Sequence, residues 1–213
     1  MIIRQDDIAK MEKRYRGKFI NSVLGAKPAL LVGSQDLTGN TNLAIMSSVF
    51  HLGASPALIG LIIRPSESAR HTLNNILTTG HYTLNHVNRI DIAAAHQTSA
   101  RYPAEQSEFA ASGLSQTYLS DFPAPFVTQS TIRLGLKLVE HQLLSINNTH
   151  LIIGEIKLIE LAEDVLGDDG FVDIASNETI AATGLDSYAV IEKVMRFSYA
   201  KTDSWPQEIN VEK

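Results

Sequence analysis

The stretch Lys27–Val87, KPALLVGSQDLTGNTNLAIMSSVFHLGASPALIGLIIRPSESARHTLNNILTTGHYTLNHV, decides the fold. It reads as a strand, a tight polar loop, a Ser-rich segment, a second strand, one short helix and a third strand. Pro28 to Ser34 is an apolar, β-competent run that ends in Gln35-Asp36. Asp36 to Asn42 is dense in Asp, Thr, Gly and Asn. These residues turn a chain because Gly39 tolerates positive φ and Asn/Asp side chains bond their own backbone. Asn42 to Ser48 then sets amides and hydroxyls beside small apolar residues, a combination suited to a flat, mostly apolar ligand with a polar tail.

Past the strand Ala57 to Ile63, Arg64-Pro65 closes the β run and Ser66 or Ser68 is placed to cap a helix. Gly80 marks the helix end, since glycine is favoured just beyond a C-terminus. At about 100° per residue, Ala69, Leu73, Ile76 and Leu77 form an apolar face. Ser68, Thr72, Asn75 and Thr79 form a narrow polar stripe beside it. Arg70 and His71 lie near the helix start, where free N–H groups and the macrodipole favour an anion. A surface helix with an ordinary polar flank would show the same pattern.

Outward from this stretch, the remaining chain reads as β segments with short helices. Residues 5 to 15 fit one leading helix with Ile8, Met11 and Tyr15 on a side. Asp91–Ala100 and Ala104–Ala111 read as short helices separated by Tyr102-Pro103, and Pro123 and Pro125 mark a turn. Thr131 to Leu138 alternates, with Ile132, Leu134, Leu136 and Leu138 on one face, as a half-buried strand does. The alternation breaks at Val139-Glu140-His141, which predicts a bulge or a strand end. Asn147-Asn148 is a turn, and Thr149 to Leu161 is a long strand expected to pair antiparallel with the preceding one. Ile191 to Tyr199 fits helix or strand, and the last residues read as a loosely held extension. Several β segments on short turns favour a barrel over a parallel sheet.

The chain has 213 residues, 44% hydrophobic and 19% charged, enough to bury a core as one domain. Its formal net charge of −5, with no long basic block, gives no electrostatic support for a nucleic-acid or anionic-membrane partner. There is no cysteine, which excludes disulfides, thiolate metal sites and cysteine nucleophiles and fits a cytoplasmic setting. The charged N-terminus does not fit a signal peptide, and no apolar run approaches membrane-spanning length. The seven histidines are scattered. His81 and His86 point to opposite faces of one strand, there is no HExxH, and no metal is expected. Ser47-Ser48 lacks a GxSxG elbow, and neither GxGxxG nor a Walker loop is present.

One ordered series of motifs is more specific than any single piece. Asn42 to Ser48, Ser55-Pro56, Arg70-x-Thr72-x-x-Asn75-Ile76, Tyr82-x-Leu84-Asn85 and His150-Leu-Ile-Ile-Gly154-Glu155-Ile156 together resemble the flavin reductase-like family of FMN-binding split-barrel proteins. The series is similar, more loosely, to flavoredoxins. The resemblance spans residues 20 to 200. It implies a mainly β split barrel with a few peripheral helices, one domain over residues 1–213, and a homodimer with FMN at the subunit interface. It also implies that residues between the third strand and Pro125 pack over one side of the barrel.

The resemblance further assigns roles. Asn42 and the segment Ala44, Ile45, Met46, Ser47 and Ser48 would contact the isoalloxazine edge and ribityl chain, partly through backbone amides. Ser47 or Ser48, with Arg70, Thr72 and Asn75, would hold the phosphate. The strand ending at Ile62-Ile63-Arg64 would flank the ring, and His150 would stand near flavin and nicotinamide. A strand histidine satisfied by a neighbour is the other reading of His150. Two departures stand out. Ile45 replaces the usual Pro, and Asn148-Thr149-His150 replaces Gly-Asp-His, removing a carboxylate. The function implied is an FMN-dependent oxidoreductase passing electrons from NAD(P)H to free flavin or a partner. The alternatives are a non-enzymatic FMN-binding electron carrier and a small-molecule binder that has lost flavin.

Overall fold

The computed structural model describes residues 1–65, 70–103 and 105–209. Two helices lead, α1 (Gln5–Lys10) and α2 (Lys13–Val23). The single helix expected over residues 5–15 is thus divided. Glu12 turns its carboxylate onto the N–H groups of Arg14 and Tyr15, at 2.8 and 3.0 Å, and so starts a second helix.

Among the described residues twelve strands follow: β1 (Ala26–Pro28), β2 (Leu30–Gln35), β3 (Thr41–Met46), β4 (Val49–Ala54), β5 (Ala57–Ile63), β6 (His81–His86), β7 (Gln116–Thr117), β8 (Phe126–Val127), β9 (Arg133–Leu144), β10 (Thr149–Glu160), β11 (Ile180–Thr183) and β12 (Ser187–Val190). Helix α3 (His71–Thr79) separates β5 from β6, and α4 (Ile92–Gln97) and α5 (Glu108–Ser112) lie between β6 and β7. Seven strands make one antiparallel sheet in the order β3-β2-β6-β9-β10-β5-β4. Its two edge strands, β3 and β4, are consecutive in the chain and joined by Ser47-Ser48 alone. That link forces the sheet to curl until its ends meet, yet the two strands form no ladder with each other. The result is a split barrel with its seam at the Ser-rich joint.

The long hairpin β9–β10 carries the expected irregularity. Leu138 pairs with Gly154 and Glu140 with Ile153, so Val139 is the extra residue of a bulge. Strand β4 falls between the Ser-rich segment and the strand Ala57–Ile63, where the sequence reading assigns no element. Its pattern is blurred by a register shift between His51 and Gly53. Its aromatic anchor is Phe50, whose ring occupies the place where a side chain on Gly60 would stand. The segment Ile191–Tyr199 is neither helix nor regular strand. It folds back through a bridge between Phe197 and Glu208, with Ser198 N donating to Gln207 O at 2.8 Å.

Apolar residues cover both faces of β2. Leu30 and Val32 face the barrel interior with Leu61, Ile63, Tyr82, Leu84, Leu136 and Ile152. Leu31 faces the opposite side with Leu43, Val87, Ala95, Phe109 and Ile180, where α4, α5 and β11 cover the sheet. Helix α3 ends as expected, with Gly80 in the left-handed region at φ 71°. Its buried residues are Thr72, Leu73, Asn75 and Ile76. The buried arc is therefore turned toward the polar stripe, and Leu77 is exposed. The reason is that the stripe finds partners: Asn42 Nδ2 donates to Thr72 Oγ1 at 2.8 Å, and Asn75 Nδ2 to Ser34 Oγ at 3.2 Å. Ser66, Ser68 and Ala69 of the expected helix start, and Ala104 of the later one, lie outside the described residues.

Candidate functional site: a two-chambered cleft along the seam

The seam opens into two cavities along β3. The larger, of about 690 Å³, is lined by Asn42, Ala44, Thr72 and Leu73, with Thr98 to Pro103 and Glu108 opposite. The smaller, of about 320 Å³, is lined by Ser47, Ser48, Ile62 and Arg64, with His96, Gly184, Leu185 and Tyr188 opposite. Ile45, Met46, Ile63, Arg70 and Ser99 line both, so Arg70 stands at the junction. Ten of the expected contact residues, Asn42, Ala44, Ile45, Met46, Ser47, Ser48, Ile63, Arg64, Arg70 and Thr72, are thereby brought to one cleft.

Asn75 and His150 line neither chamber. Asn75 is buried and reaches only a recess of about 40 Å³ beside Asp36 and Asn42. His150 pairs across β5 with Ile63, at the cleft's margin. Its Nδ1 lies 2.9 Å from Nε2 of His141, and the rings stack with centroids 5.1 Å apart. Burial, the neighbouring His141 and Arg70 push the His150 pKa down from its ordinary value. His141 lies one strand away on β9, and no sequence spacing pointed to that pairing.

Edge-strand geometry limits which backbone donors β3 offers. In an antiparallel ladder alternate N–H groups point away from the partner strand. Leu43 N donates to Glu108 Oε2 at 2.9 Å, and Ile45 N to Thr98 Oγ1 at 2.9 Å. Two outward donors of the expected segment are therefore satisfied by α5 and by the residue that ends α4.

The electrostatics favour an anion. The smaller chamber's lining includes Arg64, Arg70 and His96, and no Asp or Glu among the described residues. Burial, first, and the neighbouring Arg64 guanidinium push the Arg70 pKa down. Thr72 Oγ1 accepts from Asn42, which leaves its own proton for a ligand. Sequence reasoning passed over His96, Ser99 and Tyr188, which come from α4, the turn after it and β12, far from the motif series. A third cavity, of about 410 Å³, is lined mainly by apolar residues, Leu30, Leu84, Leu134 and Ile180 among them, with Lys27, His51 and His86. Among the described residues no group of three potential metal ligands is assembled. Nor is any described helix long and apolar enough to cross a membrane.

A family model described as flavin reductase like domain matches residues 25–175. The fold is shared with a split-barrel flavin reductase candidate from Shewanella frigidimarina NCIMB 400. That protein is 50% identical, with a TM-score of 0.91 over 94% of this chain and 100% of the other. Nitrilotriacetate monooxygenase component B from Bacillus cereus is 20% identical, with a TM-score of 0.79 over 91% and 96% of the two chains. Flavoredoxin of Desulfovibrio vulgaris (Miyazaki F) is 23% identical, with a TM-score of 0.68 over 84% and 92%. At those last two identities the likeness is one of fold.

Proposed function

The chain belongs to the flavin reductase-like domain family, and from that premise we propose that it is an FMN-binding oxidoreductase that takes electrons from NAD(P)H and passes them to free flavin or a partner. The observation that carries this reading is the position of Arg70 between two chambers of one cleft, the smaller of which has no carboxylate among the described residues. FMN would lie along β3, its ring against Ala44, Ile45, Met46 and Ile63. Its phosphate would meet the Arg70 guanidinium, the Thr72 hydroxyl and the Ser47-Ser48 joint. Asn75 would act through Ser34 and the α3–β2 packing. The bound flavin would supply the hydride chemistry, and the protein's part is to bind, orient and exclude water. Asn42 fixes Thr72, and the apolar strands Ala44–Met46 and Leu61–Ile63 keep water from one face of the ring.

The test is flavin binding followed by turnover. The purified protein should bind FMN stoichiometrically. Arg70→Ala should weaken FMN far more than riboflavin, because it removes a charged partner of about 1.5–3 kcal/mol. Equal losses for both ligands would refute the phosphate assignment. Oxidation of NADH or NADPH, with and without added free flavin, decides the reductase reading, and no oxidation of either refutes it.

The electron-carrier reading has its own support. The carboxylate of Gly-Asp-His is missing from Asn148-Thr149-His150, and His150 is engaged by His141. A protein that binds FMN, ignores both nucleotides and accepts electrons from another reductase would be that carrier. A homodimer is part of the proposal. Val194, Phe197, Tyr199 and Trp205 are exposed on the C-terminal segment, and sedimentation would show whether two chains associate. The proposal also sets the protein in the cytoplasm, the chain having no cysteine to oxidise.

A further inference from the structure

We propose that one mouth of the barrel interior is a binding site for an uncharged, mainly apolar molecule of the phenol class, whose hydroxyl group hydrogen-bonds the His86 imidazole. This recess is the third cavity described above. It lies away from the seam and stands whether or not the cleft holds a flavin.

Strand register places the recess. Leu30 pairs with His86 in the β2–β6 ladder, and Leu30 and Leu84 both belong to the barrel core. Residues that face each other across a ladder, and residues two apart on one strand, share a face. His86, the last residue of β6, therefore carries the interior face of the barrel to its end. Val49 and His51 do the same on β4, paired with Leu61 and Ile59. The cavity there, of about 410 Å³, draws its walls from β1, β2, β4, β5, β6, β9 and β11, with Ile174 and Ile191 beside them. Walls on so many strands make a concave recess, and its size suits a small organic molecule.

The chemistry of the walls narrows the class. Among the described residues no Asp or Glu lines the recess. The Lys27 ammonium donates to the carbonyl oxygens of Asn21 and Gly184 at 3.2 and 3.3 Å. Burial keeps His86 uncharged near neutral pH, its pKa pushed down to about 4. An ionised ligand would lose its hydration beside it for little compensation. His86 Nδ1 lies 3.3 Å from Thr179 Oγ1, and Nε2 has no hydrogen-bond partner among the described residues. Nε2 is bare when Nδ1 donates, and protonated when the Thr179 hydroxyl donates. A hydroxyl on the ligand answers either case, because it both donates and accepts. Leu30, Val49, Ile59, Leu84 and Leu134 receive the apolar ring. A rigid phenol loses little freedom on entering.

The probe is 2-naphthol, followed by its own fluorescence. Naphthalene lacks the hydroxyl, and 2-naphthoate carries a charge in its place. Naphthol should bind, naphthalene about threefold more weakly or worse, and 2-naphthoate about tenfold more weakly or worse. His86→Leu should erase the preference for naphthol over naphthalene. The recess shares no lining residue with the two seam chambers, so saturating FMN should leave naphthol affinity unchanged. The wild-type chain supplies a second readout that needs no variant. On adding naphthol, the ring-proton resonances of His86 should move more than those of His96.

The site is overturned if naphthol does not bind, if naphthalene or 2-naphthoate binds as tightly, or if the His86 resonances stay in place. Displacement of naphthol by FMN would also overturn it, by putting the probe in the cleft. A second copy of the chain seated over the mouth would abolish naphthol binding, and sedimentation at the titration concentration identifies that cause of failure.

Discussion

The carboxylate of Glu108 accepts the backbone N–H of Leu43 at 2.9 Å, so the first residue of α5 closes an open position on the edge strand of the barrel. Thr98 does the same for Ile45 at 2.9 Å, and its own hydroxyl donates to Ala95 O at 2.7 Å. An uncovered edge strand would present those N–H groups to other chains. Here they instead tie the wall of the cleft to the helices opposite. Glu108→Ala leaves a buried donor without an acceptor and should cost about 1.5–3 kcal/mol in urea unfolding. Glu108→Gln keeps an acceptor in place and should cost less than half of that. FMN affinity should fall in the alanine variant because the larger chamber loses its wall.

The barrel was legible because its signals are local. Ala57–Ile63, the alternating run from Thr131, the Asn147-Asn148 turn and Gly80 each carry a pattern within a few residues, and the structure keeps all four. Most of the cleft was legible for the same reason, since β3, Arg70 and Thr72 belong to one motif series. What was not legible depends on distant packing. The pairing of His141 with His150 follows from the β9–β10 register, and Tyr188 reaches the cleft only because β11–β12 folds beside α4. Helix α3 shows the limit of periodicity. Its stripe of Thr72 and Asn75 reads as an exposed flank until Asn42 and Ser34 supply buried partners.

His141 holds a like-charge position beside His150, and the two cannot both be protonated cheaply. Replacing His141 with Ala should therefore move the His150 pKa upward, toward its ordinary value, as read from imidazole proton shifts across a pH titration. Burial and Arg70 still act on His150 in that variant, so the recovery should be partial. No change would mean that burial and Arg70 set the depression without His141.

His86 gives the fold a sensitivity to acid. Burial pushes its pKa down from 6.5 to about 4, and its side-chain hydrogen bond, with Thr179 Oγ1, is 3.3 Å long. The unfolded chain takes up a proton near pH 6.5 that the folded chain refuses until about pH 4. Stability is therefore full above 6.5, falls as pH drops through that window, and levels off below it. The loss from this one group is roughly 3 kcal/mol, at 1.36 kcal/mol per unit. His86→Gln should flatten that part of the stability curve. An unchanged slope in urea unfolding between pH 6.5 and 4 would assign the effect to other groups.

Inside the barrel, Gly154 and Tyr82 fit each other so closely that a Cβ on Gly154 would collide with the phenol oxygen. That oxygen is buried without a hydrogen-bond partner among the described residues, and burial pushes its pKa upward. Gly154→Ala should destabilise by about 1–3 kcal/mol, as overpacking does. Tyr82→Phe removes an unpaired polar atom and should be neutral or stabilising by about 1 kcal/mol. In the double variant the closest clash, with the oxygen, is gone, and the ring carbon Cζ, 2.9 Å from the new Cβ, has only to give slightly. The cost of Gly154→Ala should then shrink by at least half, a coupling that a double-mutant cycle in urea unfolding measures directly. Additive effects would show that the strain lies in the β10 backbone and not in this contact.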